Sequence, residues 1–251
     1  MNSFIKKLSG TRPLIGLWQA LATAYTAEIC ASAGYDWLLF DGEHAPNTLQ
    51  TLLAQLQAVS FFPVEAIARV PQGEPVVIKQ YLDIGFRTLL VPMVDSAEQA
   101  RAIVAATRFP PRGIRGVASA TSRASGFGTD AAYLAEAHEK VAVIAQIESR
   151  AAVEAIDEIA AVDGIAALFI GPADLAAALG HLGDPRHPDV QDAIANARKR
   201  IAAAGKPVGI FALSPEDARE KIADGFQFVS VGTDIGLLTR GAVSLRGSIL
   251  S

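Results

Sequence analysis

Short apolar segments recur eight times along the 251-residue chain, and each is followed by a segment of helical periodicity. This alternation is typical of βα units joined into a parallel sheet, and eight units are the number that closes a (β/α)8 barrel. A doubly wound open sheet is the alternative, but no glycine-rich dinucleotide-binding turn follows the first strand. We therefore predict an α/β protein with a single TIM-barrel domain over residues 1–251. The predicted strands are 14–18, 37–40, 65–68, 88–91, 141–148, 167–170, 208–211 and 228–231.

The connections between strands carry two further signals. Asn47 with Gln50, and Ser96 with Gln99, predict capping boxes at the starts of two helices. Residues 109–129 form the longest irregular stretch and are rich in proline, glycine, serine and arginine. Because such long connections are uncommon in compact domains, we predict a functional loop or a contact between subunits there.

Composition limits the classes of partner. Hydrophobic residues make up 51% of the chain and charged residues 19%, which is typical of a well-filled globular core. The net charge of −4 argues against nucleic acid or an anionic membrane as the main partner, since both favour a basic surface. The single cysteine, Cys30, cannot form an internal disulfide and is expected to be an inert thiol.

The N-terminal segment imitates part of a secretory signal, because Lys6 and Lys7 precede the apolar run 14–24. Gly16 and Gln19 interrupt that run, and the same residues are needed for the first strand. No run reaches the roughly 18 apolar residues of a membrane span. We therefore expect a cytoplasmic protein.

Two predicted strands lead into an acidic side chain. The fifth strand ends at Glu148, and the sixth is followed by Gly171, Pro172, Ala173 and Asp174. In a parallel sheet both carboxylates emerge at the same end, close enough to share one cation. Oxygen ligands without a nearby histidine or thiol favour Mg²⁺ or Mn²⁺, with Co²⁺ and Zn²⁺ as alternatives. Capping of the following helices is the structural alternative for either carboxylate.

The turn after the sixth strand also suits an anion. A glycine at position 171 followed by a helix start exposes backbone N–H groups, which can bind the carboxylate of a 2-oxo acid chelated to the metal. An ordinary tight turn explains the same glycine. Arg69 ends the third strand, where it either pairs with an acid or neutralises an enolate oxyanion. Gln146 could donate to the same oxygens, although an interior residue paired with a neighbour is the favoured interpretation.

The motif Asp41-Gly42-Glu43-His44 closes the second strand. Histidine is the side chain best suited to proton transfer near neutral pH, and an adjacent acid can fix its tautomer. A polar turn is the alternative explanation. No lysine ends a predicted strand, so a Schiff-base mechanism is disfavoured. The remaining histidines have no evident partner and are expected at the surface: His138, His181 and His187.

Six motifs occur along the chain: GLW at 16–18, WLLFDGEHAP at 37–46, LLVPMV at 89–94, PPRGIRG at 110–116, QIE at 146–148 and FIGPADL at 169–175. Together they resemble the HpcH/HpaI aldolase family of class II metal-dependent pyruvate aldolases over essentially the whole chain. The resemblance implies a barrel of the phosphoenolpyruvate/pyruvate type. It also implies a last helix exchanged between subunits of a homo-hexamer, arranged as a trimer of dimers.

The resemblance also implies roles for individual residues. Glu148 and Asp174 would be the metal ligands, and Arg69 would bind pyruvate and its enolate. His44, with Asp41 beside it, would transfer protons at the aldol hydroxyl. Asp83 would approach the site of a neighbouring subunit. The residues that would line the substrate pocket are Trp18, Gln146, Gly171, Pro172, Ala173 and, at the aldehyde end, Leu213.

The implied reaction is reversible aldol cleavage of a 4-hydroxy-2-oxo acid to pyruvate and an aldehyde, with oxaloacetate decarboxylation as a side activity. The implied substrate is of the 4-hydroxy-2-oxoheptanedioate type, which yields succinic semialdehyde. One alternative is an aldolase for 2-dehydro-3-deoxy sugar acids. A second is a thioester lyase of the citrate-lyase β-subunit type, and a third is a keto-acid-binding barrel without turnover.

Overall fold

The computed structural model describes residues 1–250, which form a closed parallel barrel of eight strands. Each strand pairs with the next in the chain, and the first pairs with the last. This order confirms the predicted TIM barrel. The strands are β1 (Leu14–Gln19), β2 (Trp37–Asp41), β3 (Glu65–Arg69), β4 (Thr88–Val91), β5 (Ala142–Ile147), β6 (Ile165–Ile170), β7 (Val208–Phe211) and β8 (Phe228–Thr233).

Twelve α-helices accompany the strands within residues 1–250. Most lie outside the barrel and bury one face against it, whereas the first lies at one end of it. The helices are α1 (Ser3–Leu8), α2 (Ala24–Ser32), α3 (Leu49–Ala58), α4 (Pro75–Asp83), α5 (Ala97–Thr107), α6 (Tyr133–Lys140), α7 (Arg150–Glu154), α8 (Ile156–Ala160), α9 (Pro172–Ala178), α10 (Pro188–Ala203), α11 (Pro215–Ala223) and α12 (Asp234–Leu250).

The start of α3 lies one residue later than predicted. Thr48 is the N-cap and forms a reciprocal capping box with Thr51. Asn47 instead donates its side-chain amide to the backbone carbonyl of Asp41 at 2.8 Å. The predicted cap residue therefore supports the end of β2, next to the polar motif.

The N-terminal end of the barrel is filled by aromatic side chains. Phe4 of α1 is fully buried and packs edge-to-face on Phe228, with the ring centroids 5.5 Å apart. Glycine makes room for this layer: a Cβ on Gly16 would lie 2.1 Å from the ring of Trp37. Because this end is filled, the opposite end, where the strands finish, is the one available to a ligand.

The long connection between α5 and β5 is held by a buried arginine. Arg115 donates to the carboxylate of Asp83 at 2.6 Å and to the hydroxyl of Tyr133 at 2.9 Å. Its guanidinium also lies over the ring of Phe109, 4.6 Å from the centroid. These contacts fix the connection to the C-terminal end of α4.

The last helix, α12, exposes apolar side chains along its length. Asp234 is its one buried residue. Such an apolar surface is of the kind that docks on another chain. The exchange of this helix between subunits is consistent with that surface and stays a prediction. Within residues 1–250 no helix is both long and apolar enough to span a membrane. The exposed apolar residues of α12 are Ile235, Leu237, Leu238, Val243, Leu245, Ile249 and Leu250.

Candidate active site

The carboxyl ends of the strands surround a cavity of about 400 Å³. Ten of the residues predicted from the sequence lie in its wall: Trp18, Asp41, His44, Arg69, Gln146, Gly171, Pro172, Ala173, Asp174 and Leu213. Ala20, Phe169, Phe211 and Thr233 complete the wall, and the prediction did not include them. The barrel therefore brings strand ends that are distant in the chain into one site.

Register decides the partner of Asp41. The pairing of β2 with β3 places this residue directly opposite Arg69. The guanidinium donates through Nε at 2.9 Å and through Nη2 at 2.6 Å to the two oxygens of the carboxylate. Although burial opposes ionisation, these bonds and the positive charge hold the pKa of Asp41 below its ordinary value. This pair is a rigid, ionised unit.

The third nitrogen of the guanidinium contacts a residue whose role the sequence did not reveal. Nη1 of Arg69 lies 2.8 Å from Oε2 of Glu43, and the guanidinium lies over the ring of Trp18 at 5.1 Å. The indole of Trp18 also donates to Asp41 at 3.2 Å. Burial, together with the charges of Asp41 and Asp174, raises the pKa of Glu43. The position of Glu43 inside the strand-end motif was the available signal.

Glu148 follows β5 and is almost completely buried. Its Oε1 accepts the backbone N–H of Met93 at 2.8 Å, and its Oε2 accepts the side-chain amide of Gln146. Burial, followed by the charges of Asp174 and Glu43, raises the pKa of Glu148 to about 7. The charge of Arg69 and the N–H of Met93 lower this pKa but do not offset burial and the two neighbouring negative charges.

A divalent cation fits these residues. Asp41, Glu43, Glu148 and Asp174 place carboxylates at this end of the barrel, and Arg69 is the one arginine or lysine among the described residues of the cavity wall. Glu148 and Asp174 provide the hard oxygen donors that Mg²⁺ and Mn²⁺ prefer. An added positive charge would favour the ionised form of Glu148, whose pKa is raised mainly by burial and then by the charges of Asp174 and Glu43.

Two neighbouring features agree with a ligand at this point. A Cβ on Gly171 would lie 2.7 Å from Oε2 of Glu148 and 3.0 Å from Nε2 of Gln146, so a side chain here would displace the carboxylate. The Oε1 of Gln146 is buried without a hydrogen-bond partner among the described residues. A buried acceptor of this kind is satisfied when a ligand with a donor or a cation binds nearby.

The predicted pairing of His44 with Asp41 takes a different form. Oδ1 of Asp41 accepts the backbone N–H of His44 at 3.3 Å and an N–H of Arg69, while Oδ2 accepts from Arg69 and Trp18. The imidazole instead has its Nε2 3.7 Å from Oε2 of Glu43. Its side chain is 66% exposed, so it is accessible to a substrate entering the cavity. Glu43, rather than Asp41, is therefore the acid beside the imidazole.

Asp83 does not join the site of its own chain. It lies at the C-terminal end of α4, at the opposite end of the barrel, and its carboxylate pairs with Arg115. Its side chain is 25% exposed, and the predicted approach to a neighbouring subunit stays a prediction.

Cys30 is half-buried, and burial is the main cause that raises the pKa of its thiol.

The sequence predicted that His181 and His187 are surface residues without a partner, and the structure corrects this. Their imidazole rings stack with centroids 3.5 Å apart at 14°. The Nε2 of His181 lies 3.2 Å from Oδ2 of Asp189.

The chain is similar to known proteins in sequence and in structure. A model of the HpcH/HpaI aldolase/citrate lyase family matches residues 14–241. A hydroxypyruvate/pyruvate aldolase from Deinococcus radiodurans is 55% identical over 247 residues, covering 98% of this chain and 89% of the relative. A 4-hydroxy-2-oxo-heptane-1,7-dioate aldolase from Salmonella dublin is 51% identical, covering 97% of this chain and 93% of the relative. The crystal structure of a family protein from Burkholderia cenocepacia superposes with a TM-score of 0.96 at 43% identity, covering 100% of both chains.

Proposed function

Because the chain belongs to the HpcH/HpaI aldolase/citrate lyase family and its similar relatives are named aldolases, we propose that it cleaves 4-hydroxy-2-oxo acids reversibly to pyruvate and an aldehyde in a metal-dependent reaction. The observation that carries the proposal is the buried Glu148. It lies near Asp174 and Glu43 in an excess of negative charge. A carboxyl in that environment is suited to a divalent cation.

Different residues would hold the metal, bind the substrate carboxylate and stabilise the enolate. A divalent cation held by Glu148 and Asp174 would supply the Lewis acid that polarises the 2-oxo group. Arg69 keeps a second N–H on both Nη1 and Nη2 beyond its carboxylate contacts, and it donates to the oxyanion as the enolate develops. The backbone N–H groups at the start of α9 receive the substrate carboxylate.

His44 is the residue that transfers the proton of the C4 hydroxyl. Its imidazole takes the proton of the C4 hydroxyl, the C3–C4 bond breaks, and the bonding electron pair passes to the enolate of pyruvate while the aldehyde leaves. Protonation of the enolate at C3 then gives pyruvate. Loss of carbon dioxide from oxaloacetate yields the same enolate, so we propose oxaloacetate decarboxylation as a side activity.

Metal removal tests this function. The purified chain, stripped with a chelator, is expected to release no pyruvate from a 4-hydroxy-2-oxo acid, and Mn²⁺ or Mg²⁺ should restore activity in the wild type but not in Asp174→Asn. Full activity in the stripped protein would refute the metal-dependent reaction. Ligand binding without turnover under all metals would favour the keto-acid-binding barrel. A requirement for a coenzyme A thioester would favour the thioester lyase.

Two classes of aldehyde are candidates for the acceptor. The names of the relatives at 51–52% identity support succinic semialdehyde, which carries a terminal carboxylate. The cavity wall favours a neutral aldehyde, because Phe169, Phe211 and Leu213 are apolar and Arg69 is already paired with two carboxylates. A second substrate carboxylate would lose its hydration there without gaining a cation.

Butanal and succinic semialdehyde separate these candidates, because both have a four-carbon chain. With pyruvate as nucleophile, we expect kcat/KM for butanal to exceed that for succinic semialdehyde by about tenfold, the equivalent of about 1.4 kcal/mol. Leu213→Arg should narrow or invert the ratio, with oxaloacetate decarboxylation as the folding control. A preference for succinic semialdehyde in the wild type would support the first candidate. A preference for glyceraldehyde over both would support the sugar-acid alternative.

We further propose a cytoplasmic homo-hexamer, arranged as a trimer of dimers. The apolar surface of α12 supports association, because a helix with so many exposed apolar side chains is stabilised when another chain covers it. Light scattering of the purified protein tests the assembly. A monomer at micromolar concentration would contradict it.

A further inference from the structure

The turn that follows β4 contains a strained residue. Met93 has a φ of 52°, in the left-handed region that residues with a Cβ seldom adopt. Its backbone N–H donates to Oε1 of Glu148 at 2.8 Å. A strained backbone group therefore orients one of the two carboxylates proposed to hold the metal. Such conformations persist only where the surrounding contacts fix them.

The side chain of Gln99 provides two of these contacts. Its Nε2 donates to the carbonyl of Met93 at 2.9 Å, and its Oε1 accepts the N–H of Asp95 at 2.8 Å. One planar amide thus holds both sides of the turn. Only half of the predicted capping box forms: Ser96 accepts the N–H of Gln99 at 3.1 Å. The reciprocal bond goes to Asp95, one residue before the N-cap, so this side chain supports the turn.

The same turn is bonded to the chain on both sides of Glu148. The hydroxyl of Ser149 donates to the carboxylate of Asp95. The N–H of Val94 donates to the carbonyl of Gln146 at 3.4 Å. The turn after β4 and the end of β5 are therefore one hydrogen-bonded unit, and a movement of the turn is passed to the carboxylate.

We propose that Gln99 is a positioning residue for Glu148, acting through the left-handed turn at Met93, and that it raises the affinity of the cavity for a divalent cation. This inference rests on the proposed function, because it takes Glu148 as a metal ligand. Gln99 lies outside the cavity wall, so it does not contact a bound substrate. Without its two bonds Met93 can return to a negative φ, which turns its N–H away from Glu148. A carboxylate that loses an orienting donor binds its metal less tightly.

Two substitutions separate positioning from helix capping. Gln99→Met keeps the length of the side chain and removes both hydrogen bonds. Gln99→Glu keeps the acceptor and completes a Ser-x-x-Glu capping sequence, so α5 and the Tm should be preserved, but it cannot donate to the carbonyl of Met93. We expect both variants to bind Mn²⁺ about tenfold more weakly in calorimetry, the lower end of the 10–100-fold typical of residues that orient metal ligands. A capping role alone would leave Gln99→Glu with wild-type affinity.

Hydrogen exchange follows the same bond in the metal-free protein. In chelator, the amide of Met93 should exchange about tenfold faster in both variants, because its hydrogen bond to Glu148 opens more often. Met93→Gly added to Gln99→Met should recover part of the Mn²⁺ affinity, since glycine adopts a positive φ without a steric penalty. Gln57→Met is the matched control, because Gln57 is exposed on α3 and lies outside the cavity wall, and it should change neither quantity.

Unchanged exchange of the Met93 amide in both Gln99 variants would overturn the proposal. Wild-type Mn²⁺ affinity in both variants would overturn it as well and would leave the proposed function intact. A wild-type protein that binds no Mn²⁺ would refute the proposed function and this proposal together. The two failures are therefore distinguishable.

Discussion

Arg69 and Asp41 face each other across the register of β2 and β3 and form two parallel N–H···O bonds of 2.9 and 2.6 Å. Both side chains are buried, so the pair is shielded from solvent and from salt. The third guanidinium nitrogen is directed to Glu43. The guanidinium of Arg69, which we propose stabilises the enolate, is therefore held in one orientation before substrate binds.

Replacement of this arginine by lysine separates charge from geometry. A lysine retains the positive charge but cannot contact the carboxylates of Asp41 and Glu43 through a planar fork. We expect Arg69→Lys to lower kcat by about 10²–10³-fold for both aldol cleavage and oxaloacetate decarboxylation, the loss typical of one oxyanion donor. Arg12→Lys, in an exposed pair with Asp36, is the control and should change neither. Near wild-type cleavage by Arg69→Lys would contradict the assigned role.

Gly171 tests whether the position of Glu148 is critical. Because an added Cβ would lie 2.7 Å from Oε2 of that carboxylate, Gly171→Ala must shift either the side chain or the turn. We expect Mn²⁺ affinity to fall by about 10–100-fold, measured by calorimetry, with aldol activity falling in parallel.

Gly116→Ala is the matched control for that substitution. Its Cβ would meet only the end of the Lys79 side chain, at 3.4 Å, so the variant should bind Mn²⁺ as the wild type does. If both alanine variants bound Mn²⁺ normally, Glu148 would not be a ligand.

Strand positions and the polar cavity residues could be predicted from apolar runs and from the polar residues that end the strands. The pocket roles of Trp18 and Leu213 were predicted only from the family resemblance. The partners of the polar side chains could not be predicted. Asp41 was expected to pair with the neighbouring His44, but the register of β3 places Arg69 opposite it. His181 and His187 meet only because two backbone turns bring them together. Such pairings depend on three-dimensional register, which a one-dimensional pattern does not contain.

The raised pKa of Glu148 makes stability of the metal-free protein depend on pH. The folded-state pKa of about 7 lies above the ordinary value of 4.5, so the folded protein binds this proton more tightly than the unfolded chain. The resulting stabilisation is fully present below about pH 4.5 and is lost as pH rises to 7. In chelator, the Tm of the wild type should fall relative to that of Glu148→Gln over this window. Parallel curves would show that the carboxyl titrates normally.

Metal binding should show the opposite dependence, because the ion requires the carboxylate form. With a pKa of about 7, the ionised fraction of Glu148 rises about tenfold between pH 6 and pH 8. We expect the Mn²⁺ affinity of the wild type to rise by the same factor across that range. A pH-independent affinity would indicate that this carboxyl is not protonated in the metal-free protein.

Asp234 connects the start of α12 to the cavity wall. Its carboxylate accepts the backbone N–H groups of Ala20 at 2.8 Å and Leu21 at 3.1 Å, while Ala20 and Thr233 line the cavity. Asp234→Ala removes both acceptors from these half-buried N–H groups and should cost about 2 kcal/mol, or roughly 4 °C in Tm.

Kinetics distinguish positioning by Asp234 from a purely structural role. If Asp234 positions the wall at the aldehyde end, the Asp234→Ala variant should raise the KM for the aldehyde several-fold and leave the kcat of oxaloacetate decarboxylation unchanged, because decarboxylation needs no acceptor. Asp234→Asn, which keeps one acceptor oxygen, should recover part of the aldehyde KM. Equal losses in both reactions would mean that Asp234 supports only the general stability of the barrel, because decarboxylation proceeds without the aldehyde whose binding the wall at Ala20 is proposed to affect.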